Sequence, residues 1–361
     1  MVSLLKDLTD LDSPSTSKEH LDRFSKALAQ VWREAGARVE VIPQAENGDH
    51  LRVELGAGPE QILLLGHYDT VWDPGETSRR PFRVENGKAY GPGAYDMKGG
   101  IVEAVFAAKA LSALGMSPKV RVVVLHNSDE EIGSPSSRSL IEEEARRSKA
   151  VLVLEPSAQG GALKTWRKGV GMFEVHITGR AAHAGADYEK GASAAQEAAH
   201  QILYLHGLTD LEEGTTVNVG VVNSGTRPNV VAEKAELKVD LRVKTAMAAD
   251  RVIPKILGLV PVDPRVTVSV KGGLNRPPME RDPKNLALFQ LAKAVGRAMG
   301  IELAESGTGG GSDGNFTSAL GIPTLDGLGP VGDEAHAPSE YLIVDSLPER
   351  AAVLTGLLLA L

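Results

Sequence analysis

An apolar run that ends abruptly on an ionisable side chain must hand that group to a partner or to water. This chain does so repeatedly: His67-Tyr68-Asp69, Asp96, Glu130-Glu131, Glu155 and His336 each stand just after an apolar segment. Ends so alike in setting, and so far apart in sequence, fit one site along one edge of a β-sheet. The donors are two histidines and several carboxylates, with no cysteine anywhere in the chain. Nitrogen and oxygen donors of this kind are what a catalytic zinc site uses, and so many carboxylates suit a pair of cations.

The pattern between these points predicts an α/β fold. Helical spacing of Leu21, Phe24, Leu28, Val31 and Trp32 stops at Gly36. Strands are expected over 38–42, 51–55, 61–66, 120–125 and 150–154, and helices over 98–114 and 137–147. The loop 72–93 is expected to run over the surface, and Gly99-Gly100 to be a flexible pair. Continuous β-branched runs alternating with helices indicate a largely parallel mixed sheet covered on both faces. Past Glu155 the order becomes β-α-β-β-α-β over about 168–275, the plan of a ferredoxin-like two-layer sandwich. At 361 residues two domains are expected: a discontinuous one, 1–167 with 276–361, and the inserted one, 168–275.

Composition removes several classes. The formal net charge is −8 and no basic stripe is present, which disfavours nucleic acid as a partner. No apolar stretch is long enough for a membrane span. The start, Met1 to Ser15, lacks a signal peptide's basic region and long apolar segment, so a cytoplasmic location is expected.

Each candidate has a plain structural alternative. His67 and Asp69 lie two residues apart and share a face, as metal ligand and orienting carboxylate or as a hydrogen-bonded loop pair. Asp96 stands before a helix, where it could cap the N-terminus or bridge two cations. Three consecutive acids, Asp129 to Glu131, repel one another unless cations neutralise them or solvent screens them. Adjacent glutamates can divide the work, one binding metal and one taking a proton from water. Glu155 is fixed at a strand end by Pro156. Two ligand groups can be drawn: His67, Asp96 and Glu155, and His336, Asp96 and Glu131.

The segments Gly66-His-Tyr-Asp-Thr70, Tyr95-Asp-Met-Lys-Gly-Gly100, Asp129-Glu-Glu-Ile-Gly-Ser134, Glu155-Pro156, Ala182-His-Ala-Gly185 and Glu334-Ala-His-Ala337 together resemble the di-zinc aminoacylase and carboxypeptidase family. Within it the likeness is greatest to bacterial glutamate carboxypeptidases that cleave folates, and it covers nearly the whole chain. The resemblance implies two zinc ions (cobalt or manganese as alternatives) on His67, Asp96, Glu131, Glu155 and His336, with Asp96 bridging and a cis peptide after it. It makes Glu130 the general base and Asp69 the partner of His67; spacing alone does not choose between Glu130 and Glu131. The chemistry expected is attack of a cation-activated water on an amide carbonyl.

The resemblance also implies that His183 and Asn229, both in the insertion, contact the oxyanion, and that the insertion serves as lid and homodimer surface. For a substrate carboxylate the candidate is Arg276, since guanidinium pairs with carboxylate through two parallel hydrogen bonds. Arg242 competes, although its place in a strand favours an ion pair with Asp240. The loop of Gly309, Gly310 and Gly311 is expected to line the pocket beside that carboxylate; it lacks the Gly-Lys-Ser/Thr ending of a nucleotide loop. The remaining histidines (20, 50, 126, 176, 200 and 206) are assigned to structure or surface. The expected substrate is a small peptide or N-acyl amino acid that yields C-terminal glutamate. Alternatives are an N-acyl-amino-acid deacylase resembling acetylornithine or succinyl deacylases, a dipeptidase, and, most remotely, an inert metal-bearing binder.

Overall fold

The computed structural model describes all 361 residues, which divide into two units. One comprises Met1–Trp166, Arg281–Thr308 and Ser312–Leu361; the other comprises Arg167–Glu280 and Gly309–Gly311. No helix is long and apolar enough to cross a membrane.

The first unit is built on a six-stranded sheet in the order Arg38–Ile42, His50–Leu55, Arg121–Asn127, Gln61–His67, Ala150–Val153, Thr324–Leu325. The first two strands are antiparallel to their neighbours, and the other four run parallel. Side chains alternate across a strand, and here both faces are covered. Ile62, Leu64, Val122, Val124 and Leu152 face one core, with Leu21, Phe24, Leu28 and Trp32 of helix Lys18–Glu34 and with Leu354 and Leu357 of helix Ser346–Ala360. Leu63, Leu65, Val123, Leu125, Val151 and Val153 face the other, with Ile141, Ala145 and Phe316. Two-sided burial explains why these strands read as unbroken apolar runs.

The second unit is a four-stranded antiparallel sheet in the order Thr216–Ser224, Lys234–Val243, Gly169–Thr178, Thr267–Arg276. Helices Ala194–His206 and Ala246–Leu257 cover one face, where Phe173, Val175, Ile177, Leu237, Val239 and Leu241 pack. The element order is the β-α-β-β-α-β read from the sequence. The unit runs to Glu280 rather than 275, because the last strand continues to Arg276, opposite Val170, and Met279 and Arg167 exchange backbone hydrogen bonds. Arg276 therefore belongs to this unit.

Two segments differ from expectation. The stretch 72–93 holds a short helix, Glu76–Arg79, and a hairpin of Arg83–Glu85 with Lys88–Tyr90. That hairpin pairs with Tyr341–Ile343, which pairs with Gly332–Asp333. Strands of two or three residues carry too little periodicity to be seen in sequence. The Gly99-Gly100 pair is a close-approach point and not a flexible joint. Both glycines begin the helix Gly99–Ala113 and are buried. A Cβ on Gly99 would meet Pro330 and Leu342, and one on Gly100 would meet the Leu154 carbonyl. Leu154 backbone cannot yield as a flexible side chain would. Gly100→Ala is therefore expected to lower unfolding free energy by about 1–3 kcal/mol in urea titration; an unchanged midpoint would mean the helix has room to move.

Candidate metal centre

Five segments of the first unit converge at the carboxyl ends of its parallel strands. His67 ends the strand Gln61–His67 and is buried. Its Nε2 lies 3.3 Å from Asp96 Oδ1 and 3.4 Å from Glu155 Oε1. His336, half exposed, sits between strands Gly332–Asp333 and Tyr341–Ile343. Its Nε2 lies 3.4 Å from Asp96 Oδ2 and 3.2 Å from Glu131 Oε2. Asp96 thus turns one oxygen to each histidine. Ligand atoms of His67, Glu130 and Glu155 also lie within 4.8 Å of one another.

These separations test whether cations fit. Two ligands of one tetrahedral ion, at bonds of ~2.0–2.1 Å, stand about 3.3–3.4 Å apart. The four nitrogen–oxygen separations, 3.2–3.4 Å, match that spacing. Asp96 Oδ1 is buried and makes no hydrogen bond of good geometry, an arrangement that is costly without a positive charge beside it. The donor set fits a pair of small divalent cations.

Charge in the metal-free site follows from the same contacts. Burial works against charging His67, yet Asp69, Asp96 and Glu155 raise its pKa well above the ordinary value. Asp96 and Glu131 do the same for His336. Burial would raise the Asp96 carboxyl, but the two imidazoles hold it well below the usual range. Glu131 goes the other way: burial lifts it to about 7, against the pull of His336. Protons on the imidazoles stand where cations would neutralise the acids.

The backbone is adapted to this grouping. The Asp96–Met97 peptide is cis, and His336 takes φ 64°, a left-handed conformation that costs a residue with a Cβ about 1–2 kcal/mol. Asp69, fully buried, lies 3.4 Å from His67 Nδ1. It also accepts from the backbone N–H of Glu130 and of Glu131, each at 3.1 Å, and from Ser15 Oγ at 2.7 Å. One carboxylate therefore orients the histidine and holds the turn carrying both glutamates. Asp129, first of the acidic run, faces its own set of donors. It takes hydrogen bonds from Ser136 and Ser137, N–H and Oγ alike, at 2.6–3.2 Å. The run thus avoids mutual repulsion by splitting its directions as well as by opposing positive charge.

The remaining candidates lie in the second unit. His183 Nδ1 accepts from the N–H of Gly185 and of Ala186, each at 3.1 Å, which places the imidazole proton on Nε2 as a donor. Its loop pairs with that of Asn229: Ala184 N–H donates to Asn229 O and Val231 N–H to Ala182 O, both at 3.0 Å. Arg276 is buried, with Nη1 3.1 Å from Asn275 Oδ1. Gly311 packs so closely that a Cβ there would stand 2.9 Å from Arg276 Cδ. Carbonyls of the glycine loop are held by arginines: Gly310 and Gly311 by Arg167 at 3.4 and 3.0 Å, Gly309 by Arg242 at 3.4 Å. Arg242 also makes a two-point ion pair with Asp240, Nε to Oδ1 and Nη2 to Oδ2 at 2.9 Å each.

The sequence reading missed Asp313 and Glu340. Asp313 binds Asn127 Nδ2 at 2.6 Å and Ser134 Oγ, below the Glu130-Glu131 turn. Glu340 is buried beside the Asp96 turn. Neither follows an apolar strand, so the pattern that marked the others did not mark them.

The model of peptidase family M20/M25/M40 matches residues 63–360, a stretch that contains all seven converging residues. The chain belongs to that family. Carboxypeptidase G2 of Pseudomonas sp. (strain RS-16) is 32% identical over 311 residues, 85% of this chain and 75% of the relative. Acetylornithine deacetylase of Proteus mirabilis is 27% identical over 67% of this chain and 66% of its own length. Aminopeptidase PepT of Bacillus cereus shares the fold at TM-score 0.83 and 22% identity, over 99% of this chain and 96% of that one. The YXEP protein of Bacillus subtilis, a dinuclear metal binding peptidase of family M20, does so at TM-score 0.73 and 17% identity, over 99% and 96%. As a member of the M20 family, the chain is a metal-binding hydrolase of the peptidase and amidohydrolase kind.

The Glu131 shift has a testable sign. An acid whose folded pKa is raised binds its proton more tightly folded than unfolded, so stability falls as pH rises between the two values. The metal-free protein should lose stability from pH 4.5 to about 7 on this account. Thermal midpoints in a chelator at pH 4.5, 6 and 7.5 measure it. Glu131→Gln should flatten that slope, and an unchanged slope would place the titration elsewhere.

Proposed function

We propose that this enzyme hydrolyses an amide bond to release an amino acid with a free carboxylate, C-terminal glutamate being preferred. The observation that carries the reading is the split of Asp96 between His67 and His336, at the separations two ligands of a common ion adopt. Two zinc ions, one on His67, Asp96 and Glu155 and one on His336, Asp96 and Glu131, would polarise the scissile carbonyl and acidify the attacking water. Cobalt or manganese would suit the same donors.

Glu130 is assigned as general base. It takes a proton as the water oxygen bonds to the carbonyl carbon, and passes it to the nitrogen as the C–N bond breaks. Asp69 keeps Glu130 in place through the backbone bond described above. His183 Nε2–H and Asn229 are assigned to the oxyanion, where donors fixed in advance lower the barrier most. Arg276 is assigned to the substrate carboxylate, with Gly309, Gly310 and Gly311 lining that end of the pocket. The unit Arg167–Glu280 is assigned the roles of lid and homodimer surface, and the enzyme a cytoplasmic location.

Release of a C-terminal amino acid is supported by the 32% relative, a carboxypeptidase, together with an arginine suited to a carboxylate; glutamate is its proposed identity. The second reading, an N-acyl-amino-acid deacylase or dipeptidase, is favoured by the 27% relative, a deacetylase of an acetylated amino acid. Amine release from folyl-glutamate, N-acyl amino acids and dipeptides separates them. Turnover confined to C-terminal glutamate supports the first reading, and preference for simple acyl groups supports the second. Glu130→Ala is expected to keep its metal and lose more than ~90% of turnover, in line with the 10²–10⁴-fold worth of a positioned base. Retention of more than a tenth of the rate would move the base elsewhere.

A further inference from the structure

Glu340 lies four residues beyond His336 and is buried. Its Oε1 accepts from the backbone N–H of Tyr95 and of Asp96, each at 3.0 Å. Its Oε2 accepts from the N–H of Gly93 at 3.1 Å and from Trp72 Nε1 at 3.3 Å. Each oxygen thus serves two donors, and three of the four donors are backbone of the turn that carries Asp96. Trp72 is itself held, with the Arg80 guanidinium 3.9 Å above its ring and Arg80 Nη1 donating to Pro338 O at 2.9 Å. The segment bearing His336 and the turn bearing Asp96 are therefore joined by protein contacts as well as by any shared cation.

We propose that Glu340 is a positioning residue for the metal centre, fixing the Asp96 turn so that the two Asp96 oxygens stay divided between His67 and His336. The inference rests on Asp96 as bridging ligand. A carboxyl group, with an accepting oxygen on each side, matches these four donors. A glutamine of the same shape would aim its NH2 at two of the N–H groups, since an amide offers one accepting oxygen and one donating nitrogen. A turn released from this clamp would let Asp96 swing toward one histidine and leave the other short of a ligand.

Zinc dissociation constants from competition with a chromophoric chelator, and metal-free thermal midpoints, test this for wild type, D96N, E340Q and the double variant. E340Q is expected to weaken zinc binding by about 10-fold or more, the range seen when a ligand's orienting partner is lost. Added to D96N it should cost less than about 2-fold further, because effects that run through one residue are not additive. Wild-type zinc affinity in E340Q, or a full further loss in the D96N background, overturns the proposal, whatever the thermal midpoint does. Should E340Q fail to fold, W72F removes one donor and keeps a ring beneath Arg80. A weakening of roughly 2–3-fold is then expected by the same logic, and unchanged affinity overturns it. D96N with wild-type affinity would sink the bridging assignment and this inference together; loss in D96N with none in E340Q sinks the inference alone.

Discussion

The division of one aspartate between two imidazoles organises the rest of the site. Asp96 Oδ1 meets His67 and Oδ2 meets His336, and these histidines come from opposite ends of the chain. Around them stand Asp69, Glu130, Glu131 and Glu155, a density of negative charge that a low-dielectric edge tolerates only with positive charge in its midst. Without cations the surrounding carboxylates raise the pKa of both imidazoles, which favours a proton on each. Divalent cations bound here would replace those protons, so metal uptake would release protons and compete with them at low pH. Packing elsewhere serves this edge: the bare Gly100 lets a helix start against the Leu154 backbone, bringing the Asp96 turn to the segment that carries Glu155, just past the strand Ala150–Val153.

Carboxylates here fall into two kinds, and the partner tells them apart. Asp96, Glu131 and Glu155 face imidazole nitrogens. Asp129 and Glu340 face N–H and O–H donors of the chain, and Asp69 does both. Carboxylates that accept from backbone N–H groups are spent on geometry; those left to meet histidine remain open to a cation. The rigid turns produced by the first kind give the second kind a fixed spacing, which matters because a shift of an ångström changes how an ion's ligands divide.

How much of this the sequence discloses depends on the length of the signal. Long strands covered on both faces, such as Gln61–His67 and Arg121–Asn127, announce themselves as apolar runs, and the ionisable groups at their ends stand out for the same reason. The β-α-β-β-α-β order is legible because every element spans nine or more residues. The hairpin of Arg83–Glu85 with Lys88–Tyr90 is not, since three residues cannot show a period of two. Gly99-Gly100 reads as looseness in sequence, because the atoms that make it tight, in Leu154, Pro330 and Leu342, belong to distant segments. Glu340 and Asp313 stay hidden for that reason too: their value lies in donors across the fold, backbone N–H groups for Glu340 and side chains for Asp313. The boundary of the second unit shifts to Glu280 because strand pairing continues past the last clear alternation.

The seating of His336 beyond every helix but the last also has a consequence for how the chain acquires its metals. The candidate ligands draw on segments from residue 67 to residue 336, so one of the two histidines that face Asp96 is missing until residue 336 has left the ribosome. Contacts of such long separation form late. The sheet, five of whose six strands lie between Arg38 and Val153, can consolidate first and present an incomplete, acidic edge. Cation capture would then act as a closing latch on a body already assembled, drawing the last hairpin down, and not as the seed on which the fold condenses.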